Sequence, residues 1–95
     1  MYVKAGVQFG DIQPCMVLAA LICEQVFKDA GQKFTITSVC DGKHKSASRH
    51  YNGLAFDIRI HGVRDYLGLA PRLQDALGSE FDVVVETDHL HVELH

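Results

Sequence analysis

The chain has 95 residues, of which 47% are hydrophobic, 22% charged and 8% aromatic, a composition typical of one small globular domain and not of a disordered chain. Nine Lys and Arg against twelve Asp and Glu give a formal charge of −3, which disfavours binding to a nucleic-acid backbone or an anionic membrane. We therefore expect a single domain over residues 1–95, with neither nucleic acid nor membrane among its partners.

The N-terminal third predicts one long helix. Asp11 is expected to cap a helix over residues 12–30, and Gly31 is expected to stop it. Its apolar residues follow the 3.6-residue period and leave little polar face, so we expect the helix to be mostly buried. Its apolar run is too short for a membrane span, and it lacks the flanks of a signal peptide. We therefore expect synthesis in the cytoplasm without a signal peptide.

The three cysteines have no C-x-x-C spacing, so they are expected to be core residues and not zinc thiolates or a disulfide framework.

The rest of the chain alternates strands, turns and one further helix. The predicted elements after the first helix are a strand over 34–40, a turn at 41–42, a polar loop over 43–52, a strand over 54–60, a helix over 63–77, and two strands over 82–86 and 89–95 that form a hairpin.

Alternation along the later strands predicts a sheet with one apolar and one polar face. Asp57 points away from the core in its strand, and in the last strand Leu90, Val92 and Leu94 face one way. The polar residues of that strand face the other way, namely His89, His91, Glu93 and His95. We therefore expect an α+β domain in which an antiparallel sheet of about four strands has helices packed on one face and a polar, histidine-bearing surface on the other.

Two short segments bring histidines close to acids along the chain. The first reads S-R-H-Y-N-G-L-A-F-D over residues 48–57, and the second reads D-H-L-H over residues 88–91. Two imidazoles and one carboxylate form a ligand set suited to catalytic Zn²⁺, with a fourth position left for water. We therefore expect a zinc site on the polar face of the sheet, opposite the helices. A further carboxylate nearby is suited to the role of base.

Together these segments resemble a known peptidase family. The pattern S-x-H-x-x-G-x-A-x-D, followed about thirty residues later by D-H-x-H, resembles the zinc D-Ala-D-Ala carboxypeptidase and L-alanyl-D-glutamate endopeptidase family, whose fold the hedgehog signalling domain shares. The similarity covers about residues 34–94. It implies a zinc-dependent peptidase domain that cleaves a peptide amide in the stem peptides of peptidoglycan and acts on the cell wall. The small size fits a phage-encoded enzyme.

The resemblance also assigns roles to individual residues. It implies that His50, Asp57 and His91 bind zinc and that Asp88 is the general base that takes a proton from the attacking water. His89 would lie close by, where it could stabilise the tetrahedral intermediate or the substrate.

Substrate contacts are expected from Ser48, Arg49 and His44. Family members often carry an arginine just after the strand that leads into the loop, and this chain has none there. Four cations could replace it: Lys43, His44, Arg49 and Arg59. Gly53 is expected to keep the backbone close and to leave room next to the metal.

Three alternatives stay open from the sequence. Glu86 competes with Asp88 as the base because it stands three residues before His89, although strand parity and the family pattern favour Asp88. The domain could instead be a hedgehog-like binding module in which zinc has no catalytic role. It could also be a structural or assembly domain of a phage particle, with the apolar first helix docked on a partner.

Overall fold

The computed structural model describes residues 1–39 and 53–95. Cys40, the predicted turn at 41–42 and the predicted loop over 43–52 therefore lie outside the described residues. The elements along the chain are β1 (Tyr2–Val3), α1 (Pro14–Asp29), β2 (Thr35–Ser38), β3 (Ala55–Arg59), α2 (Tyr66–Leu77), β4 (Phe81–Val85) and β5 (His89–Leu94).

Helix α1 begins later than the sequence predicted. Residues 9–12 form a turn in which the Ile12 N–H donates to the Phe9 carbonyl at 2.9 Å, and the helix starts only at Pro14. Pro14 suits a first turn because its missing N–H would have no partner there. The predicted cap at Asp11 is therefore wrong, since Gln13 holds the capping position without a side-chain hydrogen bond. The predicted stop is confirmed, because Gly31 follows the helix with a φ of +69°.

One stripe of α1 is buried, and the expectation that most of the helix is buried is wrong. Its buried residues are Met16, Ala19, Ala20, Cys23 and Phe27. Leu18 and Leu21 are 63% and 50% exposed, because the helix contacts the rest of the domain along one side only. Burial raises the pKa of the Cys23 thiol to about 12, as expected for a core cysteine. Across both described ranges, no helix combines the length and hydropathy of a membrane span.

The sheet is mixed and has five strands, in the order β1-β2-β3-β5-β4. This corrects the expectation of an antiparallel sheet of about four strands, because β1 pairs with β2 in parallel while the other pairs are antiparallel. Helix α1 forms the crossover that a parallel pair requires. The predicted hairpin is confirmed as β4 and β5. The α+β class is confirmed as well.

Helix α2 starts three residues later than predicted. Val63 lies in a turn in which its N–H donates to the Ile60 carbonyl at 3.0 Å. Asp65 then caps the helix, because its carboxylate accepts a hydrogen bond from the Gly68 N–H at 3.2 Å. The end at Leu77 agrees with the prediction.

Both helices share one hydrophobic core with a single face of the sheet. Its largest fully buried side chains include Phe27, Ile36, Phe56, Ile58, Leu73, Leu90 and Val92. Because side chains alternate along a strand, the residues between these positions on β3 and β5 lie on the opposite face. That face carries Asp57, His89 and His91.

Candidate metal centre

The central strand pair brings three potential metal ligands together. In the register of β3 and β5, Asp57 lies opposite His91 and Arg59 lies opposite His89. Asp57, His89 and His91 each offer one ligand atom, and these three atoms lie within 4.8 Å of one another. Asp57 and His91 were expected to share a site, and the structure places them side by side.

Asp57 is a buried carboxylate at the middle of this group. It is only 5% exposed, and its Oδ1 lies 3.0 Å from Nδ1 of His91 and 3.5 Å from Nε2 of His89. A buried carboxylate is costly unless positive charge or hydrogen-bond donors compensate it. Two imidazoles that converge on one oxygen supply that compensation, at a place that also suits a cation.

Both ring nitrogens of His91 face carboxylates. Nδ1 faces Asp57, and Nε2 lies 2.7 Å from Oε1 of Glu93. The hydrogen bond with Asp57 is the main reason that the pKa of His91 is raised above its ordinary value of 6.5; burial acts in the opposite direction, and the hydrogen bond with Glu93 raises the pKa further. The protonated ring satisfies this arrangement because both nitrogens then donate.

His89 is held by the turn of the hairpin. Its Nδ1 lies 2.5 Å from Oδ1 of Asp88, whose side chain is 85% exposed. A hydrogen bond from Nδ1 to this carboxylate leaves Nε2 directed at Asp57 as a potential ligand atom. Glu86, the competing candidate for the base, closes the hairpin through its backbone N–H, which donates to the His89 carbonyl at 2.9 Å. Its side chain is exposed.

The donor set fits a metal ion. Two imidazole nitrogens and one carboxylate oxygen are ligands that zinc and other first-row divalent metals accept. Each histidine also has a carboxylate on its second ring nitrogen, which is the usual arrangement of histidines that bind metals. The chemistry and spacing of Asp57, His89 and His91 therefore allow the group to hold a metal.

The other sequence candidates are divided between described and undescribed parts of the chain. His50, the third expected zinc ligand, lies outside the described residues, as do His44, Ser48 and Arg49. Arg59 is described and occupies β3 two residues after Asp57.

The close backbone approach expected at Gly53 involves the segment before α1. Gly53 has a φ of +68°, and a Cβ built on it would lie 2.2 Å from the Asp11 carbonyl oxygen. The Gln13 N–H also donates to the Gly53 carbonyl at 3.0 Å. Gly53 thus allows the segment before β3 to pack against the start of α1.

Two features of the site were missed in the sequence. The alternation of β5 predicts that Glu93 lies on the polar face, two residues after His91, but it does not predict that the two side chains form a hydrogen bond. The register between β2 and β3 shifts between Ile36 and Ser38, and this places Ser38 opposite Asp57. Such irregularities are common next to functional sites.

Comparison with known proteins adds no further evidence on the group. A scan against protein-family models, a search of curated proteins and a search of solved structures each found no match. The resemblance to the peptidase family therefore rests on the two sequence segments, and the metal group rests on geometry.

Proposed function

We propose that this protein is a zinc metallopeptidase that hydrolyses a peptide amide in peptidoglycan stem peptides, of the D-Ala-D-Ala carboxypeptidase or L-Ala-D-Glu endopeptidase type. One observation carries the proposal. Asp57 and His91, which come from the two separate motifs and are 34 residues apart in sequence, contact each other at 3.0 Å. Two of the three zinc ligands that the resemblance implies, Asp57 and His91, thus belong to a group that can hold a metal.

In this proposal, Asp57 and His91 hold zinc. The third ligand is His50, as the resemblance implies, and not His89. When bound, zinc supplies a Lewis acid that polarises the scissile carbonyl and makes water easier to deprotonate. The buried Asp57 and the mostly buried His91 provide fixed ligands, because both belong to central strands whose other face is packed in the core.

Asp88 is the general base of the proposed reaction. Its carboxylate is exposed to solvent at the hairpin turn and contacts His89, which in turn lies 3.5 Å from Asp57. It can therefore accept a proton from water at the edge of the metal group. His89 holds this carboxylate in place and offers an imidazole near the developing negative charge.

Cations near this face would bind the acidic parts of a stem peptide. Arg59 lies opposite His89, next to the proposed metal ligands. We propose that it substitutes for the arginine that the family usually carries elsewhere. The contacts proposed for His44, Ser48 and Arg49 would come from the segment that precedes β3.

The test combines metal content with digestion of purified peptidoglycan. Protein purified without chelator or metal-affinity tag should contain about one zinc per chain, and His50→Ala should contain almost none. Asp88→Asn should keep zinc and lose rate by about 10²-fold or more. The matched control is Asp82→Asn, which removes a half-exposed acid of β4, the strand that pairs with β5.

Three results of these experiments would change the proposed function. Absence of zinc from the parent protein would overturn the proposal. Zinc binding without cleavage of peptidoglycan or of D-Ala-D-Ala peptides would favour the hedgehog-like binding module. Full activity of Asp88→Asn would transfer the role of base to Glu86.

An assembly domain is the second candidate, and the surface of α1 favours it. Four apolar side chains of this helix are at least 39% exposed, namely Val17, Leu18, Leu21 and Ile22. Exposed apolar patches often contact partners. If assembly is the function, the parent protein should form oligomers or bind a virion component in sedimentation experiments, and the Leu18→Glu variant should do neither. A parent protein that stays monomeric and does not bind virion components would contradict it.

A further inference from the structure

Glu93 contacts His91 on the ring nitrogen that does not face Asp57. Its Oε1 lies 2.7 Å from Nε2 of His91, whereas Oδ1 of Asp57 lies 3.0 Å from Nδ1. The imidazole is therefore fixed between two carboxylates on adjacent strands. Because the His91 side chain is only 13% exposed, it has little space to turn its ring away from this line.

We propose that Glu93 is a positioning residue of the metal centre. It accepts a hydrogen bond from Nε2 of His91 and so reserves Nδ1 for the metal. This inference rests on the proposed function, since it assumes that His91 is a ligand. A histidine binds a metal ion through one ring nitrogen and keeps a proton on the other. A carboxylate that accepts this proton's hydrogen bond fixes the tautomer of the ring and makes the metal-binding nitrogen more basic. Glu93 supplies this carboxylate, because its Oε1 lies on Nε2 of His91.

The strand opposite Glu93 supplies a matched control. Asp82 lies directly across from Glu93 in the register of β4 and β5, yet its carboxylate pairs with His95, at 3.2 Å, and not with His91. Removal of either acid changes the local charge by one. Only removal of Glu93 takes the hydrogen-bond acceptor away from His91.

The experiment measures zinc affinity by competition with a chromophoric chelator. Glu93→Ala should weaken zinc binding by about 10–100-fold, which is the usual effect of removing a carboxylate behind a metal-binding histidine. Glu93→Gln keeps an acceptor oxygen but loses the charge, so its affinity should fall between those of the parent protein and Glu93→Ala. Asp82→Asn should bind zinc as the parent does.

The visible absorption spectrum of bound cobalt provides a second measurement, which a general loss of stability would not change. Cobalt-loaded Glu93→Ala should show shifted visible absorption bands, because His91 would no longer be held in one orientation, while cobalt-loaded Asp82→Asn should keep the bands of the parent. Equal affinity and equal spectra for Glu93→Ala and Asp82→Asn would overturn the role of Glu93 and leave the zinc peptidase proposal intact. A parent protein that binds neither metal would overturn both. Glu93→Gln is close in shape to the parent and decides the matter if Glu93→Ala does not fold.

Discussion

His91 couples the charge of the site to pH. Its pKa is raised above 6.5, mainly by the hydrogen bond with Asp57, so the protonated ring stabilises the metal-free folded state. This contribution is fully present below the unfolded pKa of about 6.5 and is lost as pH rises through the higher folded pKa. We expect the unfolding free energy of the chelator-treated protein to fall over that window. Urea unfolding at a series of pH values measures it.

The same protonation competes with metal. A metal needs the unprotonated nitrogen of His91, so zinc affinity should increase as pH rises through the raised pKa.

In the urea series, His91→Gln should remove the part of the pH dependence of the unfolding free energy that belongs to this ring. The control is His95→Gln, which removes an imidazole that contacts Asp82 instead. A slope that is unchanged in His91→Gln would contradict the role given to the hydrogen bond with Asp57.

Gly53 tests how closely the start of α1 packs against the segment before β3. Gly53→Ala should destabilise the fold because the new Cβ would meet the Asp11 carbonyl and because φ is positive. Gly62→Ala is the control, since its φ is +78° but nothing lies within 4 Å of the added atom. We expect Gly53→Ala to cost about 1–3 kcal/mol more than Gly62→Ala in chemical denaturation. Equal costs would mean that the contact with Asp11 relaxes freely.

At the scale of the elements, Gln74 of α2 covers the free edge of β4. Its Oε1 accepts from the Val83 N–H at 3.0 Å, and its Nε2 donates to the Phe81 carbonyl at 2.7 Å. The side-chain amide thus satisfies two backbone groups that an adjacent strand would otherwise bind. Edge strands with free backbone groups are sites of aggregation, and β4 has an apolar sequence.

Gln74→Ala should therefore lower stability and promote self-association. A part-buried N–H and carbonyl that lose their partners cost about 1–3 kcal/mol. The control is Gln25→Ala, because the Gln25 side-chain amide donates to Asp29 on the exposed side of α1. Thermal unfolding measures the stability and light scattering the association. Equal behaviour of the two variants would show that β4 needs no cover.

The elements that carry strong patterns were predictable from the sequence, and β1 was not. Strand β5 alternates apolar and polar residues along its whole length, so both its existence and its polar face followed from the sequence. Strand β1 has only Tyr2 and Val3, and both are exposed, so no alternation of burial marks it. It is held by backbone hydrogen bonds to Phe34 and Ile36, which any sequence could make.

The candidate metal centre was likewise predictable from the sequence only in part. That Asp57, His89 and His91 share a face follows from strand parity, and the paired motifs predicted that Asp57 and His91 meet. The contact between His91 and Glu93 depends on side-chain orientation, and the position of Ser38 opposite Asp57 depends on a register shift in β2. Residue spacing places His91 and Glu93 on one face of β5, but it fixes neither their contact nor the register shift. His50 lies outside the described residues, so its role stays a prediction.

For the whole molecule, a bound metal would join the two central strands. A domain of 95 residues has a modest core, and β3 and β5 both contribute to it, so a ligand that binds only the folded state should have a large effect on unfolding. Zinc at about 100 times its Kd stabilises by about 2.7 kcal/mol. For a domain of this size that corresponds to a Tm increase of about 10–20 °C. Scanning calorimetry with zinc or with chelator measures it.

Variants separate a specific site from weak surface binding. Asp57→Asn removes the buried carboxylate on which both imidazoles converge, so zinc should no longer raise its Tm. His61→Ala removes an exposed histidine outside the group and should keep the full increase. A zinc effect of equal size in Asp57→Asn would place the metal elsewhere on the chain. If zinc leaves the Tm of the parent protein unchanged, β3 and β5 are held by core packing and hydrogen bonds alone, and the acids and histidines of the polar face serve another purpose.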